Sequence, residues 1–189
     1  MNSYYSSEEL KKIGLNRIGS NVMISKKASI YSPELVSIGS NVRIDDFCIL
    51  SGSVTLGNYI HISAYTALYG SDIGIIIEDY STISTRCTIF AASDDYSGEF
   101  LGNSAVPDFC RRVVKKQIVI KKYSTIGCGN VLLPGAVLEE GACVGAMSLI
   151  KDVIPAYKIY AGVPAHKIGD RSKKMLRFIK DIEEKTEDV

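Results

Sequence analysis

Aliphatic residues recur at every sixth position along most of this chain. The nineteen residues in this register are Ile18, Ile24, Ile30, Ile38, Ile44, Leu50, Leu56, Ile62, Leu68, Ile77, Ile83, Ile89, Val114, Ile120, Ile126, Leu132, Leu138, Val144 and Ile150. In most six-residue units the fifth position is small or β-branched, and the second is often glycine. A helix has no such period, whereas in an extended chain positions five and one face one side and position six points away. The pattern therefore predicts short strands with one apolar side.

Turn-forming residues separate these strands, because positions three and four of the unit are rich in Gly, Asn, Asp and Ser. Three strands and three turns close a triangular coil, and successive coils stack at the inter-strand spacing of about 4.8 Å. We therefore predict an all-β fold, a left-handed parallel β-helix, which is the known exception to right-handed crossovers. An ordinary β-sandwich with coincidental spacing is the alternative, and so many matching units argue against it.

The register breaks three times, and each break follows the third strand of a coil. Two extra residues follow Ile30, three follow Leu68, and nineteen follow Ile89 before the register resumes at Val114. All three insertions therefore leave the prism at one corner, and the longest forms an extruded loop at about residues 90–113. Long loops that depart from a regular scaffold often carry function. We predict that the active site lies at this corner.

The two ends of the chain depart from the repeat. Residues 1–17 are predicted to form an N-terminal cap segment, residues 18–155 the β-helix, and residues 156–189 a C-terminal segment. Apolar residues at helical spacing in this last segment predict an amphipathic α-helix that caps the prism or packs on a neighbouring chain. These residues are Met175, Phe178, Ile179 and Ile182.

The net charge is nearly neutral, at +1 at pH 7, and gives no general field for a polyanion such as nucleic acid. No apolar run approaches the roughly 20 residues that a membrane span needs, and the first residues lack the apolar centre of a signal peptide. Five cysteines without C-x-x-C spacing are typical of reduced thiols. We expect a cytoplasmic protein without nucleic-acid or membrane partners.

Residues 126–168 resemble the closing coils of the hexapeptide-repeat acyltransferases and read IGCGNVLLPGAVLEEGACVGAMSLIKDVIPAYKIYAGVPAHKI. A narrower resemblance, to the sugar-nucleotide N-acyltransferases of the anthrose pathway, rests on the segments MNSYYSSEELKKIG, ISKKASIY, VRIDDFCILSG, AYTALYG and ASDDYSG. This resemblance implies an acyl-CoA donor, an acceptor like dTDP-4-amino-4,6-dideoxyglucose, and a role in surface-glycan synthesis. It also implies a homotrimer with active sites at subunit interfaces, and we expect no metal.

A column of second positions points to a site for the acyl donor. In our count of the repeat, this column on the third side of the prism runs through Tyr69, Phe90, Gly127 and Gly145. Bulky residues then give way to glycines and leave a shallow groove along the loop-bearing corner. The long, thin pantetheine arm of coenzyme A could lie there against backbone groups, including those of Ala146. Alternatively, the glycines only serve tight turns.

Cations near the A-G-V-P-A segment are candidates for binding the phosphates of coenzyme A. They are Lys151, Lys167 and Arg171, and the resemblance also places Val163 and Pro164 of the segment at the cofactor. Each cation could instead be a solvated surface charge. A second basic set follows the long loop and either binds the diphosphate of the acceptor or keeps the loop soluble: Arg111, Arg112, Lys115 and Lys116.

Many sugar O-acetyltransferases of the fold that this chain resembles carry a histidine base in or beside the long loop. This chain carries aspartates there instead. Residues 90–113 contain no histidine, and the loop root contains Asp94 and Asp95. A sugar hydroxyl needs a well-matched base, whereas a free amine can attack a thioester once it has lost its proton. We therefore favour N-acylation, with Asp94 in contact with the amine and Asp95 as a candidate loop cap.

A polar patch on a flat side of the prism offers two further catalytic candidates. His61 and Thr82 share one outward column, and Ser63 and Ser84 share the next. His61 or Ser84 could position the sugar or its amine across a subunit contact, or the patch could only make interface hydrogen bonds. Exposed turn positions in the N-terminal coils supply weaker candidates for nucleotide binding, namely Arg43, Asp45, Tyr65 and Tyr69.

These features together predict an acyl-CoA-dependent N-acyltransferase that acts on a nucleotide-linked amino sugar. One alternative is a saccharide O-acetyltransferase with His61 as its base, and another is a non-catalytic β-helix scaffold. A zinc hydratase of this fold would need three histidines at a subunit interface, and the chain has only His61 and His166.

Overall fold

Short strands are the main regular element of the computed structural model, which describes residues 3–187, with side chains as far as residue 182. Helix α1 spans Ser7–Lys12, helix α2 spans Leu176–Glu187, and short 3-10 helices lie at Pro33–Leu35 and Asp108–Cys110. The strands are β1 Arg17–Ile18, β2 Met23–Ile24, β3 Ser29–Tyr31, β4 Val36–Ile38, β5 Arg43–Ile44, β6 Ile49–Leu56, β7 His61–Ile62, β8 Ala67–Ile77, β9 Thr82–Ile83, β10 Thr88–Phe90, β11 Ala92–Asp94, β12 Val113–Lys115, β13 Ile118–Ile120, β14 Thr125–Ile126, β15 Val131–Leu132, β16 Val137–Leu138, β17 Cys143–Val144, β18 Leu149–Ile150, β19 Val153–Ile154, β20 Lys158–Ala161 and β21 His166–Asp170.

The strands form the three faces of a prism, and consecutive coils pair in parallel along each face. The first face contains β1, β4, β13, β16, β19 and the ends of β6 and β8. The second contains β2, β5, β7, β9, β14, β17 and β20, and the third contains β3, β10, β15, β18 and the starts of β6 and β8. Because β6 and β8 continue round a corner, the third and first faces join into one sheet. The structure confirms the all-β, parallel β-helix predicted from the six-residue repeat.

The repeated aliphatic side chains fill the interior of the prism. On the second face, Ile44, Ile62 and Ile83 pair in register across three coils, and each is fully buried. Full burial of a side chain of this size stabilises the fold by roughly 1.5–3 kcal/mol. The columns of aliphatic residues are therefore the main stabilising element, and they hold the surface positions between them in a regular array.

Helix α1 precedes the first coil and is closed by a reciprocal cap. The Ser6 hydroxyl accepts a hydrogen bond from the Glu9 amide at 3.2 Å, and the Glu9 carboxylate accepts one from the Ser6 amide at 2.7 Å. These bonds satisfy amide groups that a helix start leaves without partners. Leu10 of the same helix is buried against the core.

All three insertions leave the prism at the corner between the third and first faces, as predicted. Ile30, Leu68 and Ile89 lie in β3, β8 and β10 of the third face, and the register of each strand with its neighbour places them in one column. The longest insertion folds back on itself, and its two ends pair as an antiparallel hairpin of β11 and β12.

Val114 is not a position of the β-helix, and this part of the prediction is wrong. It lies in β12 opposite Ser93, with 40% of the residue exposed. The coil resumes at Ile118, and Ile120 pairs with Ile77 on the first face. Val114 matches the six-residue spacing by coincidence, so counting from it places every later unit one face too far along the coil. The extruded segment is accordingly longer than expected.

The C-terminal part continues the prism and then leaves it. Strand β20 pairs in parallel with β17 on the second face, and β21 turns back antiparallel to β20. The predicted C-terminal helix is present as α2, with Phe178 54% and Ile182 37% exposed, so its apolar stripe is only partly covered within one chain. None of the helices in this described part of the chain has the length and apolar character needed to cross a membrane.

Candidate active site

A pocket of about 340 Å³ lies at the root of the long insertion. The hairpin forms one wall, because Asp94 pairs with Val113 across β11 and β12. The prism forms the other wall, where the Phe90 ring stacks on Tyr69 with centroids 5.3 Å apart. The pocket is lined by Phe90, Ala92, Ser93, Asp94, Tyr96, Arg111, Val113 and Leu133. A carboxylate and a guanidinium therefore face this cavity, together with the apolar side chains of Phe90, Val113 and Leu133.

The two aspartates at the loop root have different surroundings. Asp94 lines the pocket and accepts a hydrogen bond from Arg111 Nη2 at 3.3 Å. Asp95 accepts bonds from the hydroxyl and amide of Ser97 at 2.6 and 3.1 Å, and these bonds lower the pKa of its carboxyl. Asp95 thus closes a local turn, while Asp94 is the carboxylate presented to the cavity.

A second polar cluster lies on the second face, where stacking places Arg43 beside His61 and His61 beside Thr82. The Asp45 carboxylate contacts both Arg43 Nε at 2.7 Å and His61 Nε2 at 2.8 Å. Burial raises the pKa of Asp45, but the hydrogen bonds from His61 and Arg43 outweigh it, so the net pKa lies below its ordinary value. The charged carboxylate can therefore orient the imidazole of His61.

The glycine column predicted for the pantetheine groove does not lie at the loop-bearing corner, because every unit after Val114 belongs one face earlier than the repeat count indicates. Gly127 and Gly145 follow Ile126 and Val144 on the second face, not the third. Their column instead continues that of Ser84, next to the corner between the second and third faces. The Gly127 amide is already bonded to the Val144 carbonyl at 2.8 Å. Those glycines therefore do not line the loop-bearing corner.

The column that does follow this corner ends in a cation. Phe90 stands beside Leu133, and Leu133 beside Lys151, because Ile89, Leu132 and Ile150 pair in register. Tyr69 precedes Phe90 in the same column. Lys151 is exposed and lines a small cleft with Ala165 of the A-G-V-P-A segment. The corner thus joins the Asp94 pocket to a lysine two coils away, which is about 10 Å.

The other predicted cations have partners within the chain. Lys167 Nζ contacts the Asp170 carboxylate at 2.9 Å. Arg171 donates to the carbonyls of Tyr123, Gly141 and Ala142 and to the Thr125 hydroxyl, at 2.7 to 3.3 Å. These contacts place Arg171 among backbone carbonyls. Val163 is 72% exposed, next to Pro164, so this part of the segment faces outward.

The candidate residues for nucleotide binding are split between two places. Tyr69 belongs to the column of the Asp94 pocket. Tyr65 lies at the corner between the second and third faces. Its ring stacks on Phe47 with centroids 5.0 Å apart, and the Arg86 guanidinium lies 5.7 Å from the ring centroid. Among the residues described, no three His, Cys, Asp or Glu side chains are grouped so as to hold a metal ion.

The chain is similar to known acyltransferases over nearly its whole length. It is 40% identical over 179 residues to the dTDP-4-amino-4,6-dideoxy-D-glucose acyltransferase of Escherichia coli, which covers 93% of each chain. It matches the crystal structure of the N-acyltransferase AntD from Bacillus cereus in complex with dTDP and 3-hydroxybutyryl-CoA with a TM-score of 0.97 and 48% identity. That match covers 99% of this chain and 100% of AntD. No family model matches the chain.

The chain belongs to this family of sugar-nucleotide N-acyltransferases. A variant of the family member AntD in complex with dTDP-4-amino-4,6-dideoxyglucose and coenzyme A matches over 98% of this chain and 100% of that one, with 48% identity and a TM-score of 0.96. The putative lipopolysaccharide biosynthesis O-acetyl transferase WbbJ of Escherichia coli strain K12 is less similar, at 28% identity over 147 residues, 75% of this chain and 72% of that one.

For an N-acyltransferase of this family, the geometry also identifies lining residues that the sequence did not single out. Tyr96 and Leu133 reach the pocket from the loop and from the next coil. Leu133 follows Leu132 of the repeat, but only the pairing of Leu132 with Ile89 places it beside the pocket on the third face. The placement of Tyr96 depends on the path of the loop, which no periodic pattern describes.

Proposed function

We propose that the chain transfers an acyl group from an acyl-CoA to the amino group of dTDP-4-amino-4,6-dideoxyglucose or a close analogue. The proposal rests mainly on the Asp94 carboxylate, which lines a cavity at the root of a loop that contains no histidine. The acceptors and donors named for the E. coli and B. cereus relatives support the same reaction. Such a product would serve surface-glycan synthesis in the cytoplasm.

The chemistry needs few groups from the protein. The neutral amine attacks the thioester carbonyl carbon, the new C–N bond forms, and the C–S bond breaks. Asp94 contacts the amine and accepts its proton, directly or through a water, while the leaving thiolate takes up a proton. A deprotonated amine is a good nucleophile without a strong base, so a carboxylate suffices where a hydroxyl acceptor would need a better-matched group.

The donor would lie along the loop-bearing corner. An extended pantetheine arm can follow the column from the Asp94 pocket past Leu133, with Lys151 near its phosphates. Val163 and Pro164 are exposed near this end of the prism and would contact the nucleotide part. Lys167 and Arg171 remain weaker candidates because both have partners within the chain.

We further propose that the enzyme is a homotrimer with its active sites between subunits. Ser84 begins the corner between the second and third faces, whereas Asp94 lies beyond the next corner, and β10 runs between them. Both can act on one substrate only if Asp94 of one copy meets the second face of another. His61 and Ser84 would then position the acceptor, with Arg43, Asp45 and Tyr65 on its nucleotide part.

The function is tested with the purified chain, acetyl-CoA or 3-hydroxybutyryl-CoA, and paired acceptors that carry an amino or a hydroxyl group at the same sugar position. Release of the coenzyme A thiol and the product mass are followed. We expect turnover of the amino sugar only. Turnover of the hydroxyl sugar would favour a saccharide O-acetyltransferase, for which the Asp45–His61 pair is the available base. Light scattering on the same sample reports the mass of the assembly.

Replacing Asp94 by Asn tests the role of the carboxylate. We expect kcat to fall on the order of 10²- to 10⁴-fold, because a positioned proton acceptor is lost. The KM for acyl-CoA should change by less than about threefold, because the donor is bound mainly elsewhere. Asp95→Asn is the matched control and should retain activity. A kcat that survives Asp94→Asn would remove this residue from the reaction.

A further inference from the structure

Arg111 lines the wall of the Asp94 pocket with an incompletely satisfied guanidinium. Its Nη2 donates to Asp94 Oδ1 at 3.3 Å, and its Nη1 lies 3.8 Å from the exposed Asp108 carboxylate. Among the described residues, Nε is buried and has no hydrogen-bond acceptor. Only 20% of the side chain is exposed, so water has little access to it.

The backbone of the returning loop holds Arg111 opposite Asp94. The Arg111 amide donates to the Asp108 carbonyl at 3.0 Å, at the end of the 3-10 helix. The next carbonyl, of Arg112, accepts from the Asp95 amide at 3.0 Å. The backbone at Arg111 and Arg112 is therefore held by hydrogen bonds to two other parts of the loop. The position of the Arg111 side chain at the pocket follows from this fixed backbone.

Arg111 differs from an arginine whose hydrogen bonds only link parts of the backbone, because its Nε has no acceptor within the described part of the chain. Arg171 is such a tie, because its two terminal nitrogens make four hydrogen bonds to the chain. Arg111 makes one hydrogen bond to a side chain that faces a cavity, and leaves a buried donor open. A buried N–H without an acceptor is unfavourable, so Arg111 is held at the pocket by its contact with Asp94 and not by a full set of hydrogen bonds.

We propose that Arg111 is a positioning residue for the acyl transfer: it holds the Asp94 carboxylate in its working orientation in the pocket. The proposal rests on the function proposed above. A guanidinium presents several donors in a rigid plane and so can fix the direction of a carboxylate. Displacing a reacting group by about 1 Å can cost a hundredfold in rate, which gives this placement its importance.

A double-mutant cycle on kcat tests the proposal, with the intact chain, acyl-CoA and the amino-sugar nucleotide. Arg111→Lys keeps a positive charge but loses the planar set of donors, and we expect kcat to fall about 10- to 100-fold. Added to Asp94→Asn, the same change should lower kcat further by less than about threefold, because Arg111 acts through Asp94. Arg17→Lys is the matched control, since Arg17 is exposed in β1 of the first coil and is not among the residues that line the pocket, and it should keep the kcat of the wild type.

The outcomes are separable. Two results would overturn the proposal while the proposed function stands. One is an equal fold-loss of kcat from Arg111→Lys in both backgrounds. The other is a loss of kcat that accompanies a lower melting temperature and disappears at a lower assay temperature, which would show that Arg111 only stabilises the fold. Partial recovery of Arg111→Ala by added methylguanidinium would support it. A wild-type chain that does not acylate amino-sugar nucleotides would remove both the function and the role of Arg111 in it.

Discussion

Asp45 shows how one residue organises a surface cluster. Its carboxylate lies between the Arg43 guanidinium and the His61 imidazole, and it also accepts a hydrogen bond from the Tyr4 hydroxyl at 3.2 Å. Its side chain is 16% exposed, so solvent screens these contacts less than it screens most surface pairs. The balance of burial and hydrogen bonding favours the charged carboxylate, and with it a single orientation of His61.

Replacing Asp45 by Asn should change stability in a pH-dependent way. The pKa of Asp45 lies below its ordinary value of 3.8 in the folded chain, so its stabilisation is present above that pH and is lost as pH falls through the folded value. At neutral pH we expect the variant to lose about 2 kcal/mol of unfolding free energy. Urea unfolding at fixed chain concentration from neutral pH to about pH 2 measures this. A difference in unfolding free energy between wild type and variant that stays constant across the acid range would contradict the lowered pKa of Asp45.

At the scale of the elements, the C-terminal segment is attached by a side chain and not only by strand pairing. Arg171 follows β21 and reaches the turns of the two preceding coils, where it donates to the carbonyls of Tyr123 and Gly141. The Tyr157 hydroxyl adds a bond to the Glu140 carboxylate at 2.5 Å in the same region. These side-chain bonds hold the last coil where the parallel stacking ends.

Arg171→Ala should therefore destabilise the chain without weakening the binding of the donor. We expect a loss of about 2–3 kcal/mol in unfolding free energy, because backbone carbonyls lose charged donors. Lys167→Ala is the control and should cost less than about 0.5 kcal/mol, because its contact with Asp170 is exposed. Denaturant unfolding and the KM for acyl-CoA are measured for both. An unchanged stability with a raised KM for Arg171→Ala would instead place this cation at the coenzyme A phosphates.

At the scale of the whole molecule, the prism behaves as a stack in which each coil contacts its neighbours. A residue of a central coil packs between two others, whereas one of the first coil has a neighbour on one side only. Ile83 pairs with both Ile62 and Ile126 and is fully buried. Ile18 pairs with Ile38 alone and is half-buried. Stability should therefore depend on position along the axis.

Shortening Ile83 to Ala should cost more than the same change at Ile18. For Ile83 we expect a loss of about 2–5 kcal/mol, since a cavity opens inside a packed column. The loss for Ile18 should be smaller, because its site is open at one end and can relax. Unfolding in denaturant at equal chain concentration gives both values. Equal losses would mean that the coils do not act as a nearest-neighbour stack.

Much of the architecture is local and was therefore predictable from the sequence. Each six-residue unit carries its own strand, turn and inward side chain, so the period alone predicts the prism, the columns and the corner of the insertions. The pairing of His61 with Thr82 followed from the same counting and is confirmed by the register. The sequence offers both Asp94 and Asp95 at the loop root, with Asp94 as the better candidate for the amine, and the structure places Asp94 in the cavity.

What the repeat could not determine depends on contacts between residues far apart in the chain. Val114 matched the period, and only the pairing of Ile120 with Ile77 shows that the coil resumes later. That one step moved Gly127 to another face and brought Lys151 into the column of Phe90 and Leu133. A periodic pattern carries no information across an insertion of arbitrary length, so the phase after the loop is set by strand pairing.

The same reason explains why the partnership of Asp94 with Arg111 belongs to the tertiary structure. They are seventeen positions apart in the chain, and a hairpin closed by backbone hydrogen bonds brings them together. The sequence by itself determined the scaffold, because hydrophobic burial repeats with the chain. Only the folded loop decided which charged groups face the cavity, because their contacts join segments whose spacing no local preference specifies.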